Sequence, residues 1–219
     1  MSRAPSIRPE PAMAPMVVDA SPEGRRRRDL ELARRCLAGD RDAQVALFRR
    51  ELDRVHLVLH RLLGGGADLE DAAQDTFLAF FQSLGRYRGD AMLSTWIDRI
   101  AVRTAIAHLE RRRRTRAGAG GDEAAARLVD PARPAADTLA DRELAARLYA
   151  ALAELDPRQR VAFVLHVIED RSMAEVAELM DASRVATKAR VWRARRELAR
   201  RAARDPVLAS LLDDDGGTR

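Results

Sequence analysis

The chain has 219 residues, 47% hydrophobic, 33% charged and 4% aromatic, with a formal net charge of +5 at pH 7. Such a length holds one domain or two small ones, and cores built from Leu, Ala, Val and Ile rather than aromatics suit helices better than sheets. One cysteine, Cys36, excludes an intrachain disulfide, and no apolar run approaches the roughly 18 residues of a membrane span.

Residues 1 to 28 carry five of the nine prolines and a run of four arginines, Arg25 to Arg28, without a helical period. They read as a disordered leader with no apolar signal core, which places the chain in the cytoplasm. From Asp29 to Arg116 the pattern is helical almost throughout. "DLELARRCLAG" ends at Gly39, a natural helix stop, and places Cys36 on an apolar face as a small core residue. Asp40 opens a helix whose Val45, Leu47, Leu52, Val55, Leu59 and Leu62 recur every three or four residues until Gly64 to Gly66 break it. "DLEDAAQDTFLAFFQSL" follows, then the loop "GRYRGDAM", then "LSTWIDRIAVRTAIAHLERRRR" with Ser94 as its expected N-cap. Residues 117 to 137 are rich in Ala, Gly and Pro and read as a flexible linker. A second helical block spans 138 to 204, and 205 to 219 form a tail. The reading is all-α: two small helical domains on a tether, tumbling semi-independently.

The second block divides at its caps. Asp156 with Pro157 starts one helix, Ser172 with Glu175 makes a capping box for the next, and Ser183 starts the last. The tight turn at Asp181–Ala182 gives helix-turn-helix spacing, in which one helix braces another that lies in the DNA major groove. On the last helix Thr187, Val191, Ala194 and Leu198 form an apolar seam. Its other faces carry Arg184, Lys188 (the chain's single lysine) and Trp192 in one row, and Ala189, Arg193 and Arg196 in the next. From Arg184 to Arg204 nine basic residues meet one acid, Glu197. A solvated helix face would intersperse acids for i, i+4 pairing, so this one is suited to DNA. Far upstream, Asp68, Glu70, Asp71 and Asp75 stand with no base before Arg86. That stretch is no DNA surface and is suited to docking on a protein.

No catalytic arrangement is legible. His56 and His60 share the i, i+4 spacing of metal ligands but have no third ligand nearby, and read as half-buried helix histidines. Gly64 to Gly66 follows a helix and lacks the lysine of a phosphate loop.

The ordered set "GDRDAQVALF", "LLGGGADLEDAAQDTFLAFF", "RYRGDAMLSTWIDRIA", "HLERRRR", "ALAELDPRQRVAFVLHVIEDRSMAEVAELM" and "KARVWRARREL" resembles the extracytoplasmic-function sigma factors of bacterial RNA polymerase, over residues 29 to 204. The resemblance implies a factor that binds core polymerase, directs it to promoters at their −35 and −10 elements and helps open the duplex. It puts the polymerase contact on Asp68, Asp71, Gln74 and Asp75, facing the clamp helices of the largest subunit. Contact with the −10 strand would come from Arg99, Arg103, His108 and Arg111, with the loop from Arg88 through Asp90 to Ala91 receiving a flipped base. Trp96, flanked by Ile97 and Ile100, reads as core. The −35 element would be read by Lys188, Ala189, Trp192 and Arg193, with Ser183 and Arg184 meeting phosphate. The chain departs from the family's habit at Arg103, at Ala107 and at Val185–Ala186, positions that bear on which promoter is read. Implied partners are the polymerase core (clamp helices and flap), promoter DNA and an anti-sigma factor. No cofactor, metal or membrane insertion is implied, and the polymerase would hold the protein at the nucleoid. A DNA-binding regulator acting without core polymerase is the competing reading.

Overall fold

The computed structural model describes residues 21–119, 139–203 and 205. Most of the leader, linker and tail read from sequence lie outside these residues. Eight α-helices follow one another, with no strand among the described residues: α1 (Pro22–Leu37), α2 (Arg41–Leu63), α3 (Ala67–Ser83), α4 (Leu93–Ala119), α5 (Leu139–Ala153), α6 (Pro157–Phe163), α7 (Met173–Leu179) and α8 (Arg184–Ala202). The first helix starts earlier than expected. Ser21 accepts from the Gly24 N–H and Pro22 takes the first helical position, so residues 22–28 are helix and not leader.

Apart from the start of α4, the other stop and start signals hold where the sequence puts them. Gly64, at φ 84°, ends α2 in the left-handed region. Asp40, Asp156, Ser172 and Ser183 cap α2, α6, α7 and α8, and Ser172 and Glu175 satisfy each other's backbone as a capping box. Ser94 does not cap α4, which begins at Leu93. The Leu93 N–H instead donates to Oδ2 of Asp29 at 2.8 Å, a residue 64 positions upstream on α1. Asp29 is buried, and its other oxygen accepts from Arg50 of α2 at 2.9 Å. One carboxylate thus ties α1, α2 and the start of α4 together.

Helices α2, α3 and α4 pack round Leu47, Val55, Leu59, Leu62, Phe80, Leu93, Ile97 and Ala101, all fully buried or nearly so. In the second domain α6 runs on into a π turn at Val164–Ile168, and α8 closes it with Thr187, Val191, Ala194 and Leu198 inward, the seam read from sequence. Asp181 makes the helix-turn-helix corner at φ 48°, a left-handed conformation that Asp tolerates better than most side chains.

The two domains do not stand apart. Arg160 of α6 is 2% exposed and donates to the Leu62 carbonyl at the end of α2, at 2.9 Å. Burial pushes its guanidinium down to about 10, with the Arg112 charge adding to the fall. An alternating chain of charges crosses the boundary: Arg54 to Asp98 at 2.6 Å, Asp98 to Arg171 at 3.7 Å, Arg171 to Glu169 at 3.2 Å, and Glu169 to Arg61 at 3.5 Å. Further pairs join Arg113 to Asp156, Arg158 to Glu110, and Arg99 to Glu178. The two helical domains expected from sequence are both present, and in this structure these contacts join them. Pairing between charges so far apart along the chain leaves no periodic signal.

Asp29→Ala is expected to cost about 2 kcal/mol of stability, because it orphans a buried N–H and leaves Arg50 with Glu51 as its remaining carboxylate. Asp29→Asn keeps an acceptor for Leu93 and is expected to cost less. Urea denaturation followed by circular dichroism measures both; equal stability of Asp29→Ala and wild type would mean the tie carries no weight.

Candidate polymerase- and promoter-binding surfaces

The acidic helix α3 shows three faces. At 100° per residue, Phe77 and Phe80 turn inward, Asp68 and Asp75 lean towards α4, and Asp71, Gln74 and Leu78 look out. Contacts agree with this division. Asp68 pairs with Arg112 of α4, which also donates to the Leu63 carbonyl. Asp75 lies 2.8 Å from Nε2 of His108. Asp71 and Gln74 are exposed, and Leu78 is 59% exposed, an apolar side chain in the middle of the polar face. Sequence reading missed Leu78, although 71, 74, 75 and 78 form one i, i+3, i+4, i+7 stripe.

His108 corrects the expectation of strand contact. It is 4% exposed, because α4 turns Ile97, Ala101, Ala105 and His108 to the interior at spacings of four, four and three. The same periodicity would have placed it there from sequence. Its ring supports Asp75 and does not face solvent.

The remaining residues assigned to the −10 strand lie on or beside the outer stripe of α4. Trp96, Arg99, Arg103, Ala107 and Glu110 fall in one row, with Arg111 at its edge. The upper half of the row faces α7 across a cleft of about 350 Å³, with Trp96, Arg99 and Arg103 on one wall and Glu178, Leu179 and Asp181 on the other. Arg99 is held by Glu178, while Arg103 is exposed and Arg111 lies open further down. Trp96 is half-buried: its ring meets Tyr87 edge-on with centroids 5.8 Å apart, and its Nε1 is buried without a partner. It lines the cleft and is not simply core. The loop before α4 presents Arg88 and Asp90 to solvent, and the Tyr87 hydroxyl fixes its shape by donating to the Ala91 carbonyl at 2.7 Å.

On α8 the structure brings the expected residues to one open surface. Arg184, Lys188, Trp192 and Arg193 are exposed and Ala189 is half-exposed, while Ser183 spends its hydroxyl on the Ala186 N–H. Arg196 stacks over Trp192 at 5.4 Å. The basic residues divide in two. Arg200 and Arg201 pair with Glu197 at 3.1 and 3.2 Å, whereas Arg184, Lys188 and Arg193 have no carboxylate partner among the described residues. Val185, where the family's habit is broken, is 80% exposed at the entry of the helix.

One chain thus carries an acidic outward face on α3 and a basic one on α8. Residues 47–115 match the family "Sigma-70 region 2" and residues 145–198 the family "Sigma-70, region 4". The chain is 36% identical over 174 residues to the ECF RNA polymerase sigma factor SigM of Mycobacterium tuberculosis, covering 80% of this chain and 84% of that one. The chain belongs to the extracytoplasmic-function sigma factors. The RNA polymerase sigma factor CarQ of Myxococcus xanthus is 35% identical over 155 residues, 71% of this chain and 86% of that one. In fold, the sigma factor RpoE of Bartonella quintana, solved with the anti-sigma factor NepR, matches with a TM-score of 0.53 at 20% identity, over 78% of this chain and 96% of that one. As a member of this family the protein is a promoter-specific factor for core RNA polymerase. No described helix is long and apolar enough to cross a membrane.

The division of α3 sets a test. Asp71→Arg is expected to weaken binding to core polymerase at least tenfold with unchanged thermal stability, since its side chain has no partner within the described chain. Asp75→Arg is expected to lower the melting temperature as well, by stranding His108. Fluorescence titration with core and a thermal melt separate the two; wild-type core affinity in Asp71→Arg would remove the outward face from the docking surface.

Proposed function

We propose that Asp71, Gln74 and Leu78 of α3 seat the factor on the clamp helices of the polymerase, with Asp68 and Asp75 holding the helix to α4. The factor reads the −35 element through the open face of α8 and holds the −10 strand on the outer stripe of α4 and the Arg88–Ala91 loop. The observation that carries this reading is the segregation of charge: an outward face without cations on α3, and an outward face without free acids on α8. Oppositely charged surfaces on one small chain suit two different partners, a basic protein surface and DNA. A regulator working without polymerase has no use for the first. The chain acts by binding and not by catalysis, in the cytoplasm, where polymerase brings it to the nucleoid.

The closed arrangement adds a requirement. With α7 and the start of α6 against α4, the upper stripe of α4 cannot receive a DNA strand, so docking on polymerase must separate the domains. The contacts suit such opening, because ion pairs at a boundary exchange for water and for new partners more readily than an apolar interface does. The Bartonella quintana relative in fold was solved with an anti-sigma factor bound, and an anti-sigma partner for this chain is part of the same reading. Two measurements test opening. Small-angle scattering of the free protein is expected to show a compact particle at low salt. Glu169→Ala with Glu178→Ala is expected to enlarge it, since two of the boundary acids are gone; an extended wild-type profile at low salt would exclude the closed form.

Run-off transcription with reconstituted holoenzyme tests the function itself. Arg193→Ala is expected to weaken the cognate promoter and relax preference at one or two −35 positions, an Arg–guanine pair discriminating by about 1–3 kcal/mol. Arg201→Ala, whose side chain is already engaged by Glu197, is expected to affect all promoters alike and only slightly. Unchanged −35 preference in Arg193→Ala would mean the wrong face of α8 has been assigned.

A further inference from the structure

The four consecutive arginines of α1 are unused by any surface described so far. Arg25, Arg26, Arg27 and Arg28 are all exposed, and the first three have no carboxylate partner among the described residues. They sit in the first two turns of a helix, where the backbone dipole is positive and cations are disfavoured. Four adjacent guanidinium groups there also repel one another. This arrangement costs local stability, and for Arg25, Arg26 and Arg27 no carboxylate of the described residues offsets it.

Their place in the fold is specific. Leu30, one turn below Arg26 on the same face, packs on the loop before α4: a methyl group built on Gly89 would lie 3.8 Å from Leu30 Cδ1. Gly89 itself has φ 81°, so the loop is held in a shape that favours glycine. Asp29, between them, fixes the first N–H of α4. The arginine run is thereby joined rigidly to the loop that presents Arg88. Burial of Tyr87 in this loop pushes its hydroxyl up to about 12, the Asp29 charge adding to the rise and Arg50 and Arg26 opposing it, which puts Arg26 within electrostatic reach of the loop.

We propose that Arg25, Arg26 and Arg27 form a phosphate-binding extension of the −10 surface, gripping the sugar-phosphate backbone of the promoter strand where it passes the Arg88–Ala91 loop. The partner is nucleic acid because the patch is a run of cations, with Glu23 as the acid of its first turn, and because it continues a surface read here as strand-binding. The contact is with backbone and not bases: an unbroken run of long flexible cations supplies charge without a fixed donor pattern. The inference rests on the assignment of that loop to the −10 strand.

The experiment uses holoenzyme reconstituted from core polymerase and full-length chain, binding a fork-junction DNA that carries the −10 strand unpaired, titrated across a range of salt. The variant is Arg25→Glu with Arg26→Glu and Arg27→Glu. Acids favour the first turns of a helix, so this variant is expected to keep α1 folded, which circular dichroism checks. The slope of log affinity against log salt is expected to become shallower by about two, each lost phosphate contact removing roughly 0.7 to 0.9. Fork affinity at low salt is expected to fall at least tenfold, with affinity for core unchanged. Arg88→Ala is run beside it. If the triple variant keeps the wild-type slope while Arg88→Ala weakens the fork, the arginine run is a solvated surface and the proposal falls alone. If neither variant changes fork binding, the loop assignment falls with it. A loss of core binding in the triple variant would place the run on the polymerase and overturn the proposal as well.

Discussion

The arrangement hinges on the carboxylate of Asp98. It is 2% exposed and takes both bonds of the Arg54 guanidinium, at 2.8 and 2.6 Å. A buried charge persists only when paired and hydrogen-bonded, so Asp98 fixes the rotation of α4 against α2. That rotation decides which residues of α4 face inward, as Ile97, Ala101 and His108 do, and which line the outer stripe. The same carboxylate meets Arg171 from the second domain at 3.7 Å. One anion therefore serves both the internal order of the first domain and the closure of the second upon it. The Asp98 charge in turn favours the charged form of Arg54, raising its guanidinium.

The polar groups that tie the chain together are arginines far more than lysines, and the difference is physical. Guanidinium offers several fixed donors and keeps its charge when desolvated. Arg112 reaches both a carboxylate and a helix-end carbonyl, Arg54 closes a two-pronged pair, and Arg160 serves the Leu62 carbonyl from within the boundary.

Much of this was legible in the sequence where the cause is local. Caps at Asp40, Asp156, Ser172 and Ser183 depend on residues within three positions, and the buried seam of α8 depends on periodicity alone. The open face of α8 followed for the same reason. What escaped was set by distant partners. Asp29 took over the cap of α4 from Ser94 across 64 residues, and the charge pairs that cross the boundary join groups that each look like solvated surface. His108 was misplaced for another reason: a family role outweighed a helical period that pointed inward. On α3, composition showed an acidic patch, but only the rotation of the helix shows that Asp68 and Asp75 support while Asp71, Gln74 and Leu78 present.

The closed form is unequal in what it hides. An indole beside two guanidinium groups is an indiscriminate seat for any unpaired strand, since every base has a face to stack and every nucleotide a phosphate. Transcripts offer such strands in abundance, and under the proposed function an open seat would be available to them. With α7 lying over Trp96 and Arg99 the seat is closed to RNA, while α8 stays accessible to the duplex. On the proposed assignment of that stripe, the free protein would select the form of its nucleic acid before its sequence, and single-strand affinity would be released where polymerase has already positioned it.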